Sequence, residues 1–122
     1  MSVNAYQVYR KTQVSTASQG ELLIMLFDGA IKFTGQAKDL IEQKDYEGAN
    51  QRLIRTQDTV NELISSLNLD TGEIAQNLYQ LYRYIYDRLL EANLQKDADP
   101  LQEVLHMLTE LRDTWRQVVD KS

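Results

Sequence analysis

The sequence predicts an all-α fold: an antiparallel up-down-up-down four-helix bundle with a short N-terminal cap segment. Three observations carry that prediction. Apolar residues recur at spacings of three and four through most of residues 18–122. Short polar breaks interrupt the pattern three times, each followed by a capping residue. A single proline, five glycines and no cysteine leave little from which to build a turn-rich β fold or a disulfide framework.

Each element follows from local signals. Ser18-Gln19-Gly20-Glu21 has the pattern of a capping box, with Ser18 placed to accept amide hydrogen bonds and Glu21 to reach back toward the cap. It opens a first helix expected over roughly residues 19 to 43, with Leu22, Leu23, Leu26, Phe27, Ala30, Phe33, Ala37, Leu40 and Ile41 on its apolar face. Asp28-Gly29 has the composition of a hairpin turn, but its flanks keep a helical period, so the turn is rejected. Asp45 then caps a second helix over roughly 46 to 67, whose inner stripe is Tyr46, Ala49, Leu53, Val60, Leu63, Ile64 and Leu67. Asp70-Thr71-Gly72-Glu73 introduces a third helix over roughly 71 to 95. Asp99-Pro100 starts a fourth over roughly 100 to 119, with proline where a missing amide costs nothing, and Leu101, Val104, Leu105, Leu108, Leu111, Trp115 and Val118 inward. Short connections make antiparallel neighbours the default. With 122 residues and no linker-like stretch, the expectation is one domain, its bundle spanning 18–122.

Residues 1–17 differ in kind. Val3, Tyr6 and Tyr9 can line one side of a short helix, but about two turns do not hold themselves together in water. This stretch reads as an apolar cap on a tether, either fixed over the bundle end or displaceable.

Several function classes are disfavoured. A net charge of −5 argues against nucleic acid and against anionic membranes, because both require a concentrated basic face. No apolar run approaches the roughly 20 residues of a membrane span, and the N-terminus lacks the marks of a signal peptide, so an intracellular protein without membrane insertion is expected. A di-iron bundle needs two Glu-x-x-His motifs, whereas His106 is the one histidine. No phosphate-binding loop, cysteine nucleophile or supported triad is present, so no enzyme, metal or cofactor is expected.

What remains is an apolar surplus on the third helix. Ile74, Leu78, Leu81, Ile85, Leu89 and Ala92 form one stripe, and Ala75, Tyr79, Tyr82, Tyr86 and Leu90 a second beside it. Together they cover about half the circumference, more than the roughly 100° that seats an ordinary surface helix. The wheel assigns Leu78, Leu81, Ile85 and Leu89 to the core and Tyr79, Tyr82, Tyr86 and Leu90 to a partner-facing flank. Tyr84 falls on the polar arc and has no place in that division. Such a stripe can hold an amphipathic or extended peptide, or a second copy of the chain.

The run Ala5-Tyr6, Val14-Ser15-Thr16-Ala17-Ser18, Glu21-Leu22 and Met25-Leu26-Phe27-Asp28-Gly29-Ala30 closely resembles the flagellar secretion chaperone family. Leu81-Tyr82-Arg83-Tyr84-Ile85, Arg88-Leu89-Leu90-Glu91-Ala92-Asn93, Glu103-Val104 and Arg112-Asp113-Thr114-Trp115 continue the resemblance in order. One departure is Gln19, where many members have proline. The resemblance implies a chaperone of the bacterial cytosol that binds the disordered C-terminal segment of flagellin. It would prevent premature polymerisation and assist delivery to the flagellar type III export gate. It also implies that the N-terminal segment packs on the bundle through residues matching Val3 and Tyr6 and gives way when the client arrives. The competing expectation is a small structural or regulatory bundle that self-associates as a homodimer through the same stripe.

Overall fold

The computed structural model describes residues 19–121. The expected cap segment, with Val3 and Tyr6, and the Ser18 cap lie outside the described residues. Among the described residues the fold is four helices, α1 (Gln19–Glu42), α2 (Tyr46–Ser65), α3 (Glu73–Gln95) and α4 (Asp99–Asp120), with a 3-10 turn (Leu69–Thr71) between α2 and α3. α1 packs on α2 and α4, and α3 packs on the same two, so α1 and α3 occupy opposite corners. Side-chain pairs fix the antiparallel sense of every neighbouring pair. Gln36 late in α1 meets Arg52 early in α2, Asn50 meets Asn93 late in α3, Arg88 meets Glu103 early in α4, and Asp28 meets Arg112.

The core runs along the bundle axis through Phe27, Leu53, Val60, Leu63, Tyr82, Ile85, Leu89, Leu101, Val104 and Leu108. Each such side chain contributes about 1.5–3 kcal/mol by leaving water, which makes this column the main stabilising element. Phe27 and Tyr82 meet across the diagonal with ring centroids 6.3 Å apart and planes tilted by 59°, a favourable geometry for the aromatic quadrupoles. The Asp28-Gly29 pair lies inside α1, as the helical period of its flanks requires.

Local expectations fail in identifiable places. α3 starts two residues later than expected, because Asn68 bends the chain first: its carbonyl accepts from the Thr71 amide and hydroxyl, and its side chain accepts from the Asp70 amide. Gly72 then turns into α3 at φ 125°, a backbone region open to glycine. At α4 the residue in the cap position is Ala98, with no side-chain cap; Asp99 is already in the helix, and its amide donates to the Asp97 carboxylate in a turn just before it. Tyr46 and Val118, assigned to inner stripes, are exposed, each in a terminal turn of its helix and so beyond the buried column.

Candidate partner-binding surface

The two apolar stripes of α3 do not divide as core and flank. The inward direction falls between them, so each stripe gives its inner members to the core and its outer members to the surface. Ile85, Leu89 and Ala92 of the first are buried, and so are Ala75 and Tyr82 of the second. Ile74 and Leu81 of the first are exposed, as are Tyr79 and Leu90 of the second. This corrects two placements. Tyr82, expected on the flank, is 1% exposed, and Leu81, expected in the core, is a surface residue. Tyr86 is half-buried, with the Arg83 guanidinium 5.2 Å from its ring centroid.

Six of the eleven large apolar side chains that stay exposed among the described residues lie on α3: Ile74, Tyr79, Leu81, Tyr84, Leu90 and Leu94. That share makes α3 the candidate interaction surface of the bundle. Ile74 and Leu94, at 78% and 76% exposed, stand at its two ends. Sequence reading missed both as surface residues. Leu94 was within reach, since it stands four residues after Leu90, whereas Ile74 shares its stripe with the buried Ile85 and Leu89 and so reads as a core position.

Beside Ile74 the described residues leave the bundle end open. A cavity of about 650 Å³ lies between the start of α1, the α2–α3 connection, the first turns of α3 and Trp115 of α4. Leu23, Leu67, Ile74, Leu78 and Trp115 give it an apolar lining, and Tyr82 lines it as well. The Tyr82 phenol is pushed above its ordinary range by burial, partly offset by its interaction with the Trp115 indole. Gln19, the first described residue, also lines this cavity.

Tyr84 has a place the helix wheel did not supply. Its hydroxyl donates to Glu103 Oε1 at 2.7 Å, and Arg88 Nε donates to the same oxygen at 2.9 Å while Arg88 Nη1 reaches Glu91 at 2.6 Å. The residue belongs to a polar seam joining α3 to α4. Next to it Leu81, Tyr84 and Met107 border a shallower hollow of about 420 Å³. The lone histidine, His106, is exposed and paired with Glu110 at 3.0 Å. Among the described residues no group of three potential metal ligands comes together, and no helix is long and apolar enough to cross a membrane.

A four-helix bundle with an apolar helix face and an open, apolar end is a binding module, of the class that holds another polypeptide. The family model described as "Flagellar protein FliS" matches residues 2–122, and the chain belongs to that family. It is 38% identical over 116 residues to the flagellar secretion chaperone FliS of Bacillus subtilis (strain 168), covering 95% of this chain and 86% of that one. It is 37% identical over 123 residues to the flagellar secretion chaperone FliS of Salmonella typhimurium, covering 98% and 91%. A crystal structure of a bacterial flagellar chaperone superposes over 100% of both chains with a TM-score of 0.80 at 18% identity, which supports the fold.

Proposed function

We propose that this protein is an export chaperone of the bacterial cytosol that binds the disordered C-terminal segment of flagellin. By holding that segment it prevents premature polymerisation and assists delivery to the flagellar type III export apparatus. The observation that carries this reading is the concentration of exposed apolar side chains on α3, one of which, Ile74, also lines the apolar cavity at its N-terminal end. A disordered client wraps a large surface while staying extended enough for export, and a few well-buried anchors offset the cost of ordering it. Tyr79, Tyr86 and Leu90 are proposed as client contacts. Tyr82 contributes the inner wall of the cavity. Val3 and Tyr6 are proposed to cover the apolar surface until the client displaces them.

Calorimetric titration of the full chain with a synthetic flagellin C-terminal peptide tests the proposal. Binding at micromolar or tighter affinity, with a negative heat-capacity change, is expected from burial of apolar surface. No heat and no competition at any concentration overturns it. Sedimentation of the free chain addresses self-association: a dimer whose α3 tyrosines stay protected when peptide is added would favour the homodimer instead.

A further inference from the structure

The α1–α2 face carries a feature that client binding on α3 does not use. Lys32 and Arg55 lie against the half-buried ring of Phe33, and Arg52 is held on the same face by Gln36, one turn on from Phe33. The Arg55 guanidinium lies 4.8 Å and the Lys32 ammonium 5.8 Å from the ring centroid, and Arg52 Nε donates to Gln36 at 2.9 Å. Among the described residues none of these three cations has a carboxylate within ion-pairing distance, although Asp58 follows Arg55 by three positions. Lys38, Arg83, Arg88 and Arg112, by contrast, are all paired. In a chain of net charge −5, three unneutralised cations at one place are a local reversal of the protein's field.

A second observation on the same face concerns space. Gly29 stands one turn before Phe33 and one turn after the exposed Met25. A Cβ added at Gly29 meets nothing within 4 Å, so no packing inside the bundle requires glycine there, in a helix interior where only proline is less favourable. The bare backbone leaves room for another chain to lie close against α1.

We propose that the α1–α2 face docks an acidic amphipathic helix of a second protein, its apolar residues on Met25 and Phe33, its carboxylates on Lys32, Arg52 and Arg55, and its backbone over Gly29. Arginine suits this role because its planar fork meets a carboxylate while its face stays on the ring. Since α1 and α3 stand at opposite corners, this partner and a client on α3 bind together.

The test uses the full chain and two synthetic amphipathic helical peptides that differ only in carrying glutamate or lysine beside a leucine stripe. The glutamate peptide is expected to bind, and to weaken by about tenfold or more with Arg55→Glu and with added salt, as a charge-steered contact must. The lysine peptide is expected to be indifferent to Arg55→Glu or to bind better. Gly29→Gln is expected to keep or raise the melting temperature and still weaken the glutamate peptide, which separates docking from folding. The proposal is overturned if the glutamate peptide does not bind, if it binds wild type and Arg55→Glu equally, or if a flagellin C-terminal peptide competes with it. It is also overturned if a single-stranded RNA oligonucleotide binds the patch more tightly than the peptide does.

Discussion

The two ends of the bundle are built differently. At the end where α1 meets α2 and α3 meets α4, both turns are the same hydrogen-bonded motif. Lys44 and Lys96 take left-handed conformations at φ 63° and 53°, and the following amides, Asp45 and Asp97, reach back to the carbonyls of Leu40 and Ala92. Asp45 then accepts from the Gly48 amide, Asn93 donates to Asn50 at 2.8 Å, and Pro100 and Leu101 are buried beneath. At the other end a short 3-10 turn replaces that motif, and an apolar cavity stays open beside an exposed Ile74. Sealing one end with backbone hydrogen bonds leaves the other free to expose apolar surface without loosening the fold. The division of labour explains how a small bundle presents a sticky face and stays folded.

The largest expected effect comes from the one tyrosine common to core and cavity. Tyr82→Ala removes a fully buried ring that meets Phe27, and is expected to cost about 3–5 kcal/mol in urea unfolding, with the midpoint falling accordingly. Tyr79→Ala, on the exposed side of the same helix, is expected to change stability by under about 0.5 kcal/mol. Equal effects would mean that Tyr82 is not the inner wall described above. At the sealed end, Asn93→Leu leaves the part-buried Asn50 side-chain carbonyl without its donor and removes one of the two acceptors of the Lys96 ammonium, the backbone carbonyl of residue 93 remaining. A loss of about 1–3 kcal/mol is expected, and no loss would show that this end is not held by these bonds.

At the open end the expectation turns from stability to binding. Ile74→Ser alters a side chain that is 78% exposed, so the melting temperature is expected to stay within error while affinity for a flagellin C-terminal peptide falls by about tenfold, close to 1.4 kcal/mol. A variant that unfolds instead would place Ile74 in the core, as its stripe suggests. Lys44→Gly is a smaller probe of the sealed end. Relief of a left-handed lysine, set against the greater freedom of glycine in the unfolded chain, is expected to raise stability by roughly 0.5–1 kcal/mol.

Most of the fold was legible because the helices are amphipathic and polar breaks separate them. Asp45 caps α2 as its position suggests, and the four helices fall where the periodicity puts them. The site was legible only as an excess. Two adjoining stripes reveal that α3 has more apolar surface than a core needs, but not the direction in which the bundle axis lies. That direction is set by where α2 and α4 pack, which no residue of α3 specifies, and so Tyr82 and Leu81 exchanged roles. The cavity was invisible for a similar reason, since Leu23, Leu67 and Trp115 read as ordinary core positions until the helix ends are set in space. Tyr84 could not be placed because its partner, Glu103, is nineteen residues away on α4.

The seam formed by that pair offers the subtlest test, because it lies along α3 and α4 between the two ends. Glu103 is held below the usual carboxylate range, first by the hydrogen bond from Tyr84 and then by Arg88. A depressed folded value means the contribution is complete above the ordinary carboxylate range and is lost as pH falls through the depressed value. Tyr84 is raised above the ordinary phenol range, chiefly by donating to Glu103, so its contribution is complete below that range and is lost as pH rises through the raised value. The seam is therefore intact across neutral pH and weakens at both extremes. All three partners are solvent-accessible, so the effect is small and reduced by salt. Urea midpoints of wild type and Glu103→Gln are expected to differ by a constant amount near neutrality and to converge in acid. A difference that persists unchanged into acid would show that Glu103 acts through its shape rather than its charge, and that α3 is held to α4 by apolar packing alone between the sealed end and the open one.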